Sequence, residues 1–445
     1  NSTIKSIFIP KNVSELEEGW CHKTPNLITV ELSKKNKNFA FLDKEQKLIV
    51  GRSKSSLFDT LIFACRDVEC VTIPANIKRI SSFAFSLCKS IKKFEFSENC
   101  EVNSIGVGSF SNSSIEKIIL PSKIENIEEK AFSMCKKLKS VFFPADSVIH
   151  SIKKGAFSQS SITCISIPSS VEAIGDLAFY KCCNLRTIRF NENSKLTKIG
   201  NFAFASTSIE EMFIPASVRV ICNNIFTSCN QLKKVIFEDQ SELEEVGENI
   251  FSNSSIEYLK IPIFRYEVKG LTGNIFKYST KIAHIDINND NEHFIYYNKE
   301  LLLQKIRNDY NNSKSEFSEL IYCRRDIEHI NIPNFIRNIS SSSFQQCRKL
   351  STIRFEDNSQ LEVIQNEALS NLMIKSIVIP PKVKMIGKKN FYYCMCLKSV
   401  EFLSDSIYID QNCFDLSQNL LVVSFPNVKE IRISRISFFS VSPGN

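Results

Sequence analysis

The sequence predicts a repeat solenoid, an α/β repeat that is mainly β with short helical turns, carrying a parallel strand ladder of about 17 layers on its concave face. Three observations predict it. A strand-like Ile/Phe-x-Ile/Phe pattern recurs from end to end of the 445 residues, and between Pro74 and Pro262 the residue that closes it recurs at steps alternating strictly between 23 and 24. Cys88, Cys135, Cys182 and Cys229 stand 47 residues apart, and Cys347 and Cys394 repeat that interval. Finally, a single unit holds too few apolar residues to close a core, so copies must stack to bury their faces.

One unit, Ile165 to Cys182, justifies each element in turn. Ile165 and Ile167 alternate as strand residues do, with both side chains inward. Pro168 ends the strand, because it has no N–H to offer a ladder. Val171 and Ile174 suit a second short extended piece returning along the opposite wall. Ala178-Phe179 suits a single helical turn, with Ala permitting close approach and Phe filling the layer. Cys182 follows on the inside of that turn. The partner unit of each 47-residue pair usually reads Phe-x-Glu/Asn-Asn/Gln-Ser and ends Phe-x-x-Ser-Ser-Ile, as from Phe237 to Ile256.

Two segments break the rhythm. Phe39 to Leu48 leads through a polar loop to Leu61-Ile-Phe-Ala-Cys65-Arg66-Asp67, and Phe294 to Leu302 leads likewise to Leu320-Ile-Tyr-Cys323-Arg-Arg325-Asp326. Each reads as a hairpin-like extended pair protruding from the solenoid. The second copy is longer in its polar loop, Asn308 to Ser315. The pattern implies a larger duplication within one continuous solenoid: a first repeat block over residues 1–262 with its insert near 39–67, and a second over 263–445 with its insert near 294–326.

The Ile-x-Ile-Pro-x-x-Val-x-x-Ile-x-x-x-Ala-Phe-x-x-Cys unit, interrupted by the Asp43-Lys-Glu and Asn298-Lys-Glu hairpins, resembles the BspA-like leucine-rich repeats over nearly the whole chain. Departures fall at Asn249-Ile-Phe251, at Ala368-Leu369, and around Gly270 to Ser279. The resemblance implies a right-handed curved leucine-rich-repeat solenoid. It also implies a non-catalytic protein of the cell surface or extracellular space, adhering to a host extracellular or cell-surface protein; many eukaryotic members are similar to surface proteins of parasitic protists.

Composition narrows the alternatives. The net charge of +8 is mild for this length, and Lys and Glu alternate throughout, so the charge is a solvated surface and not a nucleic-acid footprint. No apolar run approaches the ~18 residues of a membrane span, so no span is expected within this chain. Asn1 leads straight into a strand-like Ile4 to Ile9, and a solenoid exposes its core at an uncapped end, so flanking residues, a targeting or membrane segment among them, are expected. Cysteines two layers apart in a stacked sheet are separated by ~9–10 Å, beyond the ~7 Å limit for a bridge. Cys88, Cys135, Cys182, Cys229, Cys347 and Cys394 therefore read as buried structural thiols. Free thiols also suit a reducing cytoplasm, which keeps open an intracellular scaffold with a cytoskeletal partner.

No catalytic residues, cofactor or metal ligands are indicated. Ile105-Gly106-Val107-Gly108 coincides with the repeat's own Ile-Gly-x-x-Ala-Phe and lacks a third Gly. Cys394-Met-Cys396 and Cys182-Cys183 each contain a repeat thiol and no second pair at zinc spacing. The five histidines are scattered. Six sequons, at Asn1, Asn12, Asn112, Asn253, Asn311 and Asn338, permit glycosylation without arguing for it. The informative positions lie between the two inward residues of each strand, where a solvated face should be polar. Ile119 with Phe142, and Phe213 with Ile236, are apolar instead. Arg189 lies between these pairs, Lys260 follows them, and Lys93, Lys117 and Lys234 flank them. An exposed apolar strip with a charged rim is a candidate protein-binding site.

Overall fold

The computed structural model describes residues 2–52, 57–265, 268–305 and 317–434; the polar loop from Asn308 to Ser315, and the sequons at Asn1 and Asn311, lie outside them. The chain divides into two compact units, residues 1–231 and 232–445, and each is a parallel β-solenoid.

In the first unit the long ladder is built from Cys70–Ile73, Lys93–Phe96, Lys117–Ile119, Ser140–Phe142, Cys164–Ile167, Thr187–Phe190 and Glu211–Ile214. Cys164 to Ile167 pairs in parallel with Thr187 to Phe190, one residue to one. Along that strand Ile165 and Ile167 are buried while Cys164 and Ser166 are exposed, as the alternation requires. Burying each such Ile contributes roughly 1.5–3 kcal/mol, and only stacking supplies the neighbours that bury it.

The closing prolines leave a visible mark. Where the following strand ends in Ser97, Asn191 or Glu356, that residue's N–H donates to the carbonyl of Ile73, Ile167 or Ile332 in the layer before. Proline cannot. The long ladder accordingly falls into two-strand pieces at 70–73 with 93–96, 117–119 with 140–142, and 164–167 with 187–190. In the second unit Tyr258–Ile261, closed by Pro262, pairs with Lys234–Phe237 through three residues but with His284–Ile287 through four.

The opposite wall is a second ladder of two-residue strands. Asn126–Ile127, Ser151–Ile152, Ala173–Ile174, Lys198–Ile199 and Val220–Ile221 pair in succession without a break, and no proline closes them. Every Ile in this row is buried.

The Ala-Phe segment is not a helical turn. Among the described residues the helical element is a short 3-10 segment, Gly273–Phe276. Elsewhere Ala-Phe lies between two residues of left-handed backbone, as Leu177 (φ 57°) and Lys181 (φ 56°) bracket Ala178-Phe179. A residue with φ near +60° ends a right-handed helix at once. Its N–H instead reaches the next layer, as Leu177 donates to the Asn201 carbonyl and Lys181 to that of Ala205. The turns thus stack like a third ladder, and their rings stack with them. Phe85, Phe110, Phe132, Phe157, Phe179, Phe204 and Phe226 form one column with centroids 5.1 to 5.8 Å apart.

Gly106 and Gly108 belong to this packing. A Cβ on Gly106 would lie 2.5 Å from the Ser82 backbone nitrogen, and Gly108 combines φ +57° with a would-be Cβ 2.6 Å from the Phe83 ring. Both glycines permit close approach of neighbouring layers.

Each insert proves to be three antiparallel strands and not a protruding pair. Phe39–Phe41, Leu48–Arg52 and Phe58–Ala64 form a meander, and the last strand continues the short ladder through Thr60 with Arg79 and Leu61 with Ile80. In the second unit Phe294–Tyr297, Leu301–Lys305 and Phe317–Cys323 repeat the plan, joined to Asn338–Ile339. The inserts are built into the wall because their third strand supplies a rung.

Candidate protein-interaction face

The outward positions of the long ladder carry the candidate residues. In the first unit Ile119 and Phe142 stand directly opposite one another on paired strands, 63% and 53% exposed. Ser166 and Arg189 are the next opposed pair, and both are exposed. Phe213 lies on Glu211–Ile214 and is 47% exposed. Beside Ile119 is a shallow cleft of about 480 Å³, lined among others by Phe96, Lys117, Ile119, Pro121, Pro144 and Asp146. Strand geometry forces this exposure, since the inward neighbours Ile118 and Val141 are buried and side chains alternate.

The charged rim is less uniform than the sequence suggests. Lys93 is held by Glu95 on its own strand at 2.9 Å. Lys117 and Arg189 are exposed and have no ion-pair partner among the described residues. In the second unit Ile236 and Lys234 are only half-exposed, Lys234 rides over the Tyr258 ring at 5.2 Å, and Lys260 is paired with Asp239 at 2.8 Å. Sequence reasoning passed over Phe8 and Val378, which occupy the same outward position and are 59% and 47% exposed. The signal was there in Ile7-Phe8-Ile9 and Ile377-Val378-Ile379.

The six periodic thiols are all buried and free. Cys135 Sγ donates to the Phe110 carbonyl at 3.0 Å, Cys182 to that of Phe157 at 3.0 Å, Cys229 to Phe204 at 3.2 Å, and Cys394 to Leu369 at 3.3 Å. The layer between each pair supplies a hydroxyl to the same column: Ser113 meets Cys135, Ser160 meets Cys182 and Thr207 meets Cys229. That alternation of thiol and hydroxyl underlies the 47-residue period. Burial pushes Cys135 up to about 11 and Cys182 and Cys394 up to about 12, so they remain protonated donors.

Cys88 and Cys347 differ, because each faces an insert and receives a buried arginine. Arg66 Nη1 lies 3.7 Å from Cys88 Sγ, and Arg325 Nη1 lies 3.3 Å from Cys347 Sγ. Both guanidiniums also cover an aromatic ring, Phe63 at 4.5 Å and Tyr322 at 4.4 Å. The sequence signal was Arg placed 22 residues before Cys in both inserts.

Among the described residues no three His, Cys, Asp or Glu side chains gather to hold a metal, and no helix is long and apolar enough to cross a membrane. His284 stacks on Tyr258, with centroids 5.4 Å apart, and His329 Nδ1 lies 3.5 Å from the Ser351 hydroxyl.

Residues 58–186, 150–283 and 315–442 match the family model described as BspA type leucine rich repeat region. No curated protein matches the chain in sequence. Among solved structures, a leucine-rich repeat protein from Bacteroides ovatus is 20% identical, with a TM-score of 0.55, covering 87% of this chain and 98% of its own; it has the same fold. A leucine rich cell surface protein from Faecalibacterium prausnitzii is 19% identical (TM-score 0.45; 75% and 92% covered). The pneumococcal vaccine antigen PcpA is 16% identical (TM-score 0.38; 90% and 99% covered).

Proposed function

The chain belongs to the BspA-type leucine-rich repeat family, whose repeats mediate protein interaction, and from that premise we propose that it is a non-catalytic adhesion protein of the cell surface. Its partner is a host or other cell-surface protein, bound on the outward face of the first unit's long ladder. The observation that carries this reading is the opposed pair Ile119 and Phe142, apolar and exposed where a solvated sheet face should be polar. Phe213 extends the apolar surface, while Lys117 and Arg189 give it a cationic rim suited to an acidic partner surface. A shallow cleft fits a broad protein contact better than a small substrate.

Changing Phe142 and Phe213 together to Ser leaves every inward residue in place, so the fold and melting temperature should hold within a few degrees. Binding to the partner surface should fall by at least about 100-fold, as expected when two central aromatic anchors are removed. Affinity unchanged in a folded double variant would refute this face.

A second reading, a cytoplasmic scaffold with a cytoskeletal partner, is favoured by one observation: the six periodic cysteines are free thiols. The two readings separate cleanly. A membrane-impermeant amine reagent applied to intact cells should label the exposed lysines Lys93 and Lys117 if the protein is on the surface; labelling only after permeabilisation selects the scaffold.

A further inference from the structure

The inserts contain the same arginine device twice, with Phe63, Ala64 and Cys65 of the first copy replaced by Tyr322, Cys323 and Arg324 in the second. Aligned on Arg66 and Arg325, Ala64 corresponds to Cys323 and Cys88 to Cys347. The backbones agree: Ala64 N–H donates to the Ala84 carbonyl at 3.0 Å, and Cys323 N–H to that of Ser343 at 3.1 Å. The second unit therefore places a thiol where the first has a methyl group.

Cys323 and Cys347 are both buried, and Cys347 Sγ approaches the Cys323 carbonyl at 3.8 Å. They converge on one acceptor, the Arg324 carbonyl, 3.6 Å from Cys323 Sγ and 3.8 Å from Cys347 Sγ. Arg325 donates through Nη1 to Cys347 Sγ and to the Ser343 carbonyl, while its buried Nε and Nη2 have no hydrogen-bond acceptor. No carboxylate among the described residues lies within ion-pair distance of this guanidinium, since Asp326 is taken by Arg324 at 2.6 Å. A buried cation so placed favours an anion beside it, and the Cys347 sulfur is the contacting group able to become one. Burial pushes the Cys347 thiol up, but the neighbouring Cys323 side chain and the Arg325 charge outweigh it and hold Cys347 down to about 7. Cys323 is pushed up, by burial first and then by Cys347. Cys88 is pushed up to about 11 by burial.

We propose that Cys323 and Cys347 form a reversible dithiol–disulfide pair, Cys347 attacking, Cys323 resolving, and Arg325 steadying the attacking sulfur. The oxidant is a small hydroperoxide, hydrogen peroxide being the simplest. The Cys347 thiolate attacks one peroxide oxygen; the S–O bond forms, the O–O bond breaks, and the departing hydroxide takes a proton to become water. Cys323 then attacks the sulfenic sulfur; the S–S bond forms, the S–O bond breaks, and hydroxide leaves with the Cys323 proton as a second water. Two electrons pass from the sulfurs to peroxide. An external dithiol returns them. Because the disulfide leaves Arg325 without its anion, the reduced pair is the favoured state, and the bond is a labile switch and not a permanent staple.

The intact chain, treated with hydrogen peroxide, alkylated and digested without reduction, should yield a Cys323–Cys347 linked peptide that a dithiol abolishes. Iodoacetamide should alkylate Cys347 at least about tenfold faster than the equally buried Cys88. Cys323→Ala copies the residue already accommodated at Ala64; it should remove the linked peptide and slow Cys347 to the rate of Cys88. Failure to form the linked peptide while exposed Cys70, Cys164 and Cys183 oxidise would overturn the proposal, as would equal rates for Cys88 and Cys347 in the unaltered chain. Those two readouts decide the matter even if the variant does not fold.

Discussion

A Phe157→Ala variant is expected to lose about 3–5 kcal/mol of stability, the cost of emptying an aromatic site in a rigid core. Phe157 is fully buried between Phe132 and Phe179, with centroids 5.3 and 5.4 Å away and ring planes within 8°. Each offset-stacked contact contributes about 0.5–1.5 kcal/mol beyond area burial, and two are lost together. The neighbours cannot collapse into the void. Phe132 N–H is bonded to the Ala156 carbonyl and Phe157 N–H to that of Ala178, so the layer spacing is set by backbone bonds that remain. In a solenoid the damage has a further consequence, because stability is transmitted only through neighbouring layers. Guanidinium unfolding followed by circular dichroism should broaden or split as the layers on either side uncouple. Phe391→Ala is the control: Phe391 stacks on Phe414 at 5.4 Å, but the layer before it carries Leu369 in the Phe position. Its loss should be smaller and its transition sharper. A cost below about 1 kcal/mol for Phe157→Ala would show that the column follows the backbone ladders and does not hold them.

The parts of this molecule legible in the sequence are those that every layer repeats. Ile165, Ile167 and Ile174 meet the same surroundings as their counterparts 47 residues away, so their spacing announces two walls. The thiol column is legible for the same reason. The third wall reads as helical in the sequence because its determinant is a backbone angle with little side-chain signature: Leu177, Lys181, Phe202 and Ser206 all adopt positive φ, and Gly occupies the corresponding site only here and there, as at Gly108 and Gly155. The outward column was half legible. Alternation predicted that Ile119 and Phe142 face solvent, but it could not predict that Lys93 would turn to Glu95, or Lys260 to Asp239. Long side chains choose partners by reach, which strand periodicity does not encode. The buried arginines carry no periodic signal of their role, since each occurs once per insert and their acceptors are carbonyls, which no residue letter reveals.

Arg66→Ala is expected to cost about 3–5 kcal/mol, comparable to breaking a buried charged pair, with the loss concentrated at one end of the first unit. Arg66 is buried and spends its donors on three parts of the chain. Nε reaches the Thr24 carbonyl at 3.3 Å and Nη2 that of Cys21 at 3.2 Å; Nη1 reaches Ala64 at 3.3 Å and Ala84 at 3.1 Å. One planar fork therefore clips the segment around Cys21 to the insert's last strand and to the following turn. Removing it orphans acceptors at roughly 1–3 kcal/mol for each that stays dry, and strips a cation from the Phe63 face. Lysine should not rescue the site, because a single ammonium cannot reach acceptors arranged for a five-donor fork. Hydrogen exchange should accelerate over residues 2–32, whose core residues Ile9, Leu27 and Val30 pack with Phe63 and Cys65. Amides in the column from Phe110 to Phe204 should keep their protection, since each layer answers mainly to its neighbours. Uniform loss of protection would mean that the arginine stabilises the unit as a whole. Full recovery with Arg66→Lys would mean that charge alone, and not the fork, holds the segment in place.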